Sequence, residues 1–465
     1  MTATIGLITT MSLDTTWPDA VVSKVTDDHV KARKALEDLG FRLLVPNKGL
    51  SRTKEDMIRD GNALRAGGAE TVVIYVGTWT YSSVTVELAD IVRLPILVWT
   101  NSGPGNLGIV GGAIARGALD EVGAVTTLVH GDFDDPATLE RVRVWCTGAA
   151  GAMRLRGKTF GIGGSRCMGM YTAHVDPSEI KSRFGVDIDG WDEISVIEAS
   201  KKVPEKTTTE FYDWMKNAYG CIEAKEAAVK AQIRMYLSLR ELISEKGYAA
   251  VAVKCLPHLP PVHTTFCLAH ALLNDTSDAY GPKESVICGC EADVNGTLTM
   301  QMMHNVSGQT TMFADFLCFE EEKNLVTLCN CGSQPTDMAP SKKDVHWVHE
   351  GLQEFEWVIG GCCPQYVAKP GRVTLARLGR IAGEYIMLIL SGEARQYPRE
   401  KLAEINAQQP QAFVELDCSP EEFVAELRCN HIHVVYGDFV RELEVLCRVL
   451  GIRTIVPRRI RALPV

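Results

Sequence analysis

Up to His130 the chain alternates short apolar runs with amphipathic stretches in a regular rhythm. The apolar runs Thr4–Thr9, Arg42–Pro46, Thr71–Val76, Pro95–Thr100 and Thr126–His130 have the length and composition of buried strands. Between them, Asp28–Leu39, Lys54–Ala66 and Val84–Ile91 carry apolar positions at helical spacing. Such alternation predicts a parallel sheet covered by helices on both faces. A long helix over Ala137–Leu155 leads to Lys158–Gly164, which opens a second set. In that set the pattern predicts a strand at Glu193–Ile197, a helix at Glu223–Lys246 and a strand within Tyr248–Leu256. A helix at Thr264–Leu273 and a strand at 285–293 complete it.

Beyond about residue 308 the pattern changes. Asn324–Cys331, Gly371–Leu378 and Glu384–Leu390 are strand-like, with Gly or Pro turns and few helices between them, and the chain closes with a helix at Asp438–Leu450 and a strand at Arg453–Val456. The predicted class is α/β: two doubly wound Rossmann-like domains, 1–156 and 157–308, followed by a β-rich C-terminal domain, 309–465.

Composition narrows the function. At 465 residues the chain exceeds one core, and 46% apolar with 23% charged residues is ordinary for a globular protein. A net charge of −10 argues against nucleic-acid binding. The short basic run Arg458-Arg459-Ile460-Arg461 reads as a solvated tail or an interface. No apolar run reaches membrane-spanning length, and the first residues read as a strand rather than a signal peptide, so a cytoplasmic location is expected. The fifteen cysteines are scattered and mostly lie in apolar segments, as at Cys146, Cys255, Cys267 and Cys447. Cys288/Cys290 and Cys329/Cys331 are spaced more tightly than most zinc ligands, so reduced structural thiols are expected.

The chemistry concentrates where charge interrupts apolar runs. Ser285–Asp293 runs from an apolar strand straight into Glu291 and Asp293, and Asp315 sits inside Met312–Leu317. Burying an ionised carboxylate costs several kcal/mol unless a cation or donor compensates it, and a divalent metal is the natural partner. His431 and His433, two apart on a probable strand, share one face. Carboxylates with imidazole favour a hard or borderline ion such as manganese. The plainer reading is capping acids and core histidines. For Asp293 the capping role, at a helix near residue 296, is the one expected.

Other motifs are weaker. Gly103-Pro-Gly105-Asn-Leu-Gly108 follows about the fourth strand, whereas a dinucleotide fingerprint belongs to the first βαβ unit, and Pro104 lacks a donor. Loop chemistry explains it, and no nicotinamide is expected. Gly161–Arg166 lacks a third glycine, although Ser165 and Arg166 are suited to a bound anion. Trp79 and Tyr81, at a strand's carboxyl end, suit stacking on a sugar ring or a buried interface. For His258, His263 and His270 the structural reading is preferred. No serine-hydrolase elbow, Walker loop or His-Glu-x-x-His is present.

Cys290-Glu291-Ala-Asp293-Val-Asn-Gly296-Thr-Leu-Thr-Met300, Phe313-Ala-Asp315 and Asn430-His431…Tyr436-Gly437 together resemble the L-fucose isomerase and L-arabinose isomerase superfamily. The resemblance implies a metal-dependent aldose–ketose isomerase, usually with manganese, assembled as a hexamer or another trimer-based homo-oligomer. It implies Glu291 and Asp315 as acid/base residues and metal ligands, His431 as the third ligand, and Asn430 as a sugar contact. His433 has no firm counterpart, and it is expected with Trp79 and Arg166 on the substrate side. The chemistry agrees: a divalent ion on O1 and O2 acidifies the C–H between them and stabilises an enediolate. The substrate is then a monosaccharide: a pentose, a 6-deoxyhexose or a C6-modified aldose such as a sulfosugar. The rivals are a nicotinamide-dependent oxidoreductase and a non-catalytic sugar-binding protein.

Overall fold

The computed structural model describes residues 2–13, 17–46, 50–101, 107–330, 332–349 and 357–459. Met1–Arg154 with Arg441–Gly451 form one compact unit, and Leu155–Val440 with Ile452–Val465 form the other.

The first unit is built on a five-stranded parallel sheet. Its order is Arg42–Leu44, Thr4–Thr10, Thr71–Val76, Ile96–Thr100, Thr126–His130. Alternate residues of each strand feed opposite cores. Val73 and Tyr75 join Ile5, Leu7, Leu97 and Trp99 on one face, while Val72, Ile74 and Val76 join Ile8, Ile96 and Val98 on the other. Both faces are apolar because helices cover both, as in doubly wound folds. The helix Pro136–Met153 starts at Asp135, whose carboxylate accepts from Thr138 N at 3.0 Å. The closing helix Val440–Val449 falls almost wholly in this unit rather than with the C-terminal strands that flank it.

The second unit holds a four-stranded parallel sheet, ordered Ile287–Cys290, Ala250–Val253, Thr159–Gly163, Asp187–Trp191. The strand expected at Glu193–Ile197 is instead the start of a helix, Glu193–Ser200. Asp192 stands at its N-cap and Glu193 in its first turn, where acids suit the helix dipole, and Val196, Ile197 and Ser200 bury one face. The strand is Asp187-Ile-Asp-Gly-Trp191, whose two acids and glycine hide it from a hydrophobicity pattern.

The same unit carries seven further strands in one mixed sheet. The order is Gly371–Ile381, His431–Tyr436, Met312–Glu320, Leu325–Cys329, Gln411–Leu416, Glu384–Arg395, Arg453–Ile455. Gly371–Ile381 also pairs along its whole length with Glu384–Arg395, so the first six close into a barrel and only Arg453–Ile455 remains outside, parallel to Glu384–Arg395. The β-rich C-terminal region is therefore a closed antiparallel barrel. A smaller sheet pairs Cys362–Gln365, His346–His349 and Cys221–Ile222.

No helix among the described residues is long and apolar enough to cross a membrane. No disulfide joins the described cysteines.

Candidate functional site

Strand register sets two residues of the site side by side. Met312–Glu320 and His431–Tyr436 run antiparallel with Asp315 opposite His431 and Phe313 opposite His433, so all four side chains share a face. The imidazole rings lie 4.6 and 4.9 Å from the Phe313 ring. The third residue comes from the parallel sheet. Beyond the end of Ile287–Cys290 the backbone turns through left-handed conformations at Glu291 (φ 58°) and Ala292 (φ 52°), then enters the helix Val294–Ser307. Two successive non-glycine residues in that region cost of order 1–3 kcal/mol each, a strain that persists where the surroundings impose it.

That turn brings the groups together. His431 Nε2 lies 3.2 Å from Glu291 Oε2 and 3.5 Å from Asp315 Oδ1. On its other edge His431 Nδ1 is 2.7 Å from Asp293 Oδ2. With Nδ1–H donating to that carboxylate, Nε2 presents its lone pair to Glu291 and Asp315. A carboxylate behind an imidazole is how proteins orient a metal-binding histidine.

The donor set fits a divalent cation. Glu291 Oε2 and His431 Nε2 are both buried with no hydrogen-bond partner among the described residues, although burial without one is costly. Adjacent ligands of an octahedral ion stand about 3 Å apart, given bonds near 2.1 Å, and the distances of Glu291 and Asp315 from His431 Nε2 are close to that. Burial alone would lower the His431 pKa, but the Asp293 carboxylate on Nδ1 and then the Glu291 carboxylate 3.2 Å from Nε2 outweigh it and raise it to about 10. Surroundings that attract a proton so strongly attract a cation for the same reason.

Asp315 is held at both oxygens: Oδ1 accepts from Asn430 Nδ2 and Oδ2 from Asn330 Nδ2, each at 2.8 Å. Burial first, then the charge of Glu291, push its pKa up against the pull of His431 and the two amides. Ser333 Oγ donates to Asn330 Oδ1 at 2.5 Å and fixes that amide.

Asp293 caps the helix, accepting from Gly296 N at 2.9 Å, and it also forms a buried ion pair with Arg377. Burial would raise its pKa, yet Arg377 and His431 together hold it well below the usual range. Arg377 Nη1 reaches His433 Nε2 at 3.3 Å, and Nη2 donates to Thr172 O at 3.0 Å. Gly296 is required here, since a Cβ would come within 2.7 Å of Asp293 Oδ2, 2.8 Å of His433 Nε2 and 2.9 Å of Arg377 Nη1.

His433 is fully buried and its pKa lies well below normal, through burial and then the charge of Arg377. It supports Arg377 as a neutral ring and offers no surface to a sugar, which departs from the substrate-side expectation. Arg377 and Asn330 escaped the sequence reading. Arg377 carries a usable signal, a cation inside the apolar strand Gly371–Leu378, of the kind that marks Asp315. Asn330, just past a strand end, carries none.

A cavity of about 720 Å³ adjoins the Glu291–Asp293 turn, lined by Gly164, Ser165, Arg166, His174, Ala292 and Arg380 among others. Gly164–Arg166 and Ala292 place it beyond the carboxyl ends of Thr159–Gly163 and Ile287–Cys290, the end of a parallel sheet at which ligands bind. Arg166 packs on the Tyr171 ring, 4.9 Å from its centroid, and pairs with no carboxylate among the described residues. Trp79 belongs to the first unit, following Thr71–Val76, with its ring 4.8 Å from Tyr81.

Of the weaker motifs, Gly103 and Gly105 lie outside the described residues, while Gly108 opens the helix Gly108–Glu121. Cys331, Ile460 and Arg461 also lie outside them. Cys288 and Cys290 are buried in a strand, and His270 Nδ1 is 3.2 Å from Cys288 Sγ in the core.

Comparison with known proteins adds an independent line. Residues 328–456 match the family described as L-fucose isomerase, C-terminal domain. That span covers Asn330, Arg377, Asn430, His431 and His433, while Glu291 and Asp315 precede it. The chain is 22% identical to a sulfoquinovose isomerase of Alkalicoccus urumqiensis over 373 residues, covering 78% of this chain and 80% of the relative. It is 22% identical to a sulfoquinovose isomerase of Priestia megaterium over 417 residues, covering 84% and 86%. One from Clostridium sp. (strain MSTE9) is 24% identical over 441 residues, covering 90% and 92%.

Proposed function

We propose that this chain, a member of the fucose isomerase-like superfamily and an aldose–ketose isomerase, interconverts an open-chain sulfosugar aldose with its 2-ketose. The observation that carries the reading is the convergence of Glu291, Asp315 and His431, two of which present buried polar atoms without hydrogen-bond partners among the described residues. Glu291, Asp315 and His431 would hold a divalent ion, which supplies polarisation of the sugar's C1 and C2 oxygens and so acidifies the intervening C–H. Manganese suits that set of two carboxylates and one imidazole.

Glu291 and Asp315 flank His431 and are the proton carriers of this reading, one exchanging a proton with carbon and the other with oxygen. Asn430, which holds Asp315 Oδ1, also stands at the exposed edge of the site and is proposed to touch the sugar. Asp293 and Arg377 keep His431 in one tautomer and orientation.

The sulfosugar assignment rests on two supports. The relatives' names are those of sulfoquinovose isomerases. The cavity beside the Glu291 turn also presents Arg166, which has no carboxylate partner among the described residues, and Ser165 where an anionic C6 substituent can be met. A guanidinium suits sulfonate as it suits other oxyanions. The many cysteines buried in apolar segments, such as Cys146 and Cys447, support a reducing, cytoplasmic setting. Trp79 is proposed to face the sugar of a neighbouring subunit in a trimer-based homo-oligomer.

The test is a panel of aldoses, with and without a C6 sulfonate and with and without manganese, followed for ketose formation and solvent deuterium at C2. Conversion is expected with the sulfonated aldose and manganese, and its loss in Glu291→Gln. Ligand binding without deuterium exchange for any aldose would overturn the reading in favour of a sugar-binding protein.

A further inference from the structure

Away from the Glu291 site, three side chains of different chemistry converge on the small sheet of the second unit. Cys221 and His346 are register partners on parallel strands, Cys221–Ile222 and His346–His349. Glu223 lies two residues after Cys221, so strand alternation puts it on the same side. One ligand atom from each of Cys221, Glu223 and His346 falls within 4.8 Å of the other two, and His346 Nδ1 is 3.2 Å from Glu223 Oε1.

The frame beneath them is fixed by backbone. Gly220 N donates to Val345 O at 3.0 Å and Glu223 N to Trp347 O at 2.8 Å, while Trp347 is fully buried between them. Gly220 admits this approach, since a Cβ there would come within 2.2 Å of Lys343 O and 3.2 Å of His346 Cδ2. The three side chains therefore need little rearrangement to meet at one point.

We propose that Cys221, Glu223 and His346 form a second divalent-cation site that takes zinc. A sulfur, a nitrogen and an oxygen donor match zinc's mixed preferences, and tetrahedral ligands about 2.0–2.3 Å from the ion stand between three and four ångströms apart. Metal binding deprotonates the thiol, so the ligands bring two negative charges to a doubly charged ion. Arg399 lies within electrostatic reach of Glu223 and Cys221 and remains as an outer cation. Three protein ligands leave a fourth position for water. Because the ligands come from segments far apart in sequence, the ion clips them together, a structural role separate from isomerisation.

The experiment uses the full chain, stripped of metal and titrated with zinc or cobalt alone. Wild type and His431→Ala are expected to bind a zinc equivalent that Cys221→Ser and His346→Ala lose. Cobalt is expected to give a thiolate charge-transfer band in wild type that Cys221→Ser abolishes, while manganese-supported isomerase activity in Cys221→Ser stays within twofold of wild type. Equal zinc stoichiometry in wild type and Cys221→Ser, or a cobalt spectrum unchanged by that substitution, would overturn the proposal. Zinc lost from His431→Ala but kept by Cys221→Ser would do so as well, by placing the ion at the other site.

Discussion

Replacing Arg377 by methionine tests how the site is held. Arg377 and Asp293 form an ion pair whose side chains are 5% and 0% exposed. Methionine fills most of the same volume with a flexible apolar chain, so the cavity left behind is small. Thr172 O keeps a donor, because Asn295 Nδ2 also reaches it at 2.8 Å. What remains is the charge of Asp293, buried and stripped of its main cation. Removing one member of a buried pair typically costs about 3–5 kcal/mol, and Arg377→Met is expected to lose that much in the unfolding of metal-free protein by urea. Asp293→Asn in the same background should recover much of the loss. Asparagine caps a helix as well as aspartate, so the cap to Gly296 survives while the orphaned charge disappears. The coupling in the double-mutant cycle is expected to be about 2 kcal/mol or more. A loss below about 1 kcal/mol in Arg377→Met, or effects additive within about 0.5 kcal/mol, would refute the view that this pair holds His431.

Further outcomes follow from other parts of the structure. Asp315→Asn keeps the shape but removes the acid, so kcat should fall by about 10²–10⁴-fold with the fold intact by circular dichroism. Arg166→Ala should raise KM for a C6-sulfonated aldose by at least tenfold while leaving binding of a neutral aldose within twofold. Trp79→Ala should weaken turnover without releasing manganese, and unchanged kinetics would dispose of its place near the sugar. Asp275 is fully buried; burial first, and then Asp337, raise its pKa from 3.8 to about 7. A carboxyl raised in the folded state contributes full stability below its unfolded pKa near 4 and loses it as pH rises to about 7. Asp275→Asn should therefore flatten the fall in melting temperature between pH 4 and 7, and an unchanged slope would exclude Asp275 as its source.

The pieces of the site were legible to different degrees. Glu291, Asp315 and His431 stand out because each interrupts or ends an apolar run, and charge in such a place demands a partner. Arg377 offers the same signal in Gly371–Ile381, yet a lone arginine in a strand is ambiguous until its carboxylate is known. Asp293 reads correctly as a cap but incompletely, since one oxygen serves the helix while the other meets His431 and Arg377. Asn330 has no local mark, because its role lies in reaching Asp315 across the strand pair.

By itself the sequence determined the elements whose periodicity is strong: the alternating strands and helices of the first unit, the apolar strands of the second parallel set and the run of strands near the C-terminus. It also determined which side chains are too polar for their surroundings. Tertiary structure decided what periodicity cannot encode. It decided that Gly371–Ile381 pairs with Glu384–Arg395 as well as His431–Tyr436 and so closes a barrel. It decided that the polar segment Asp187–Trp191 is a strand because its neighbour Thr159–Gly163 recruits it as the sheet's edge. It decided, too, that Asp315 faces His431 across an antiparallel register while a left-handed turn delivers Glu291 from another sheet. Local pattern follows from one residue and its near neighbours, whereas register, closure and convergence depend on segments that meet only after the chain has folded.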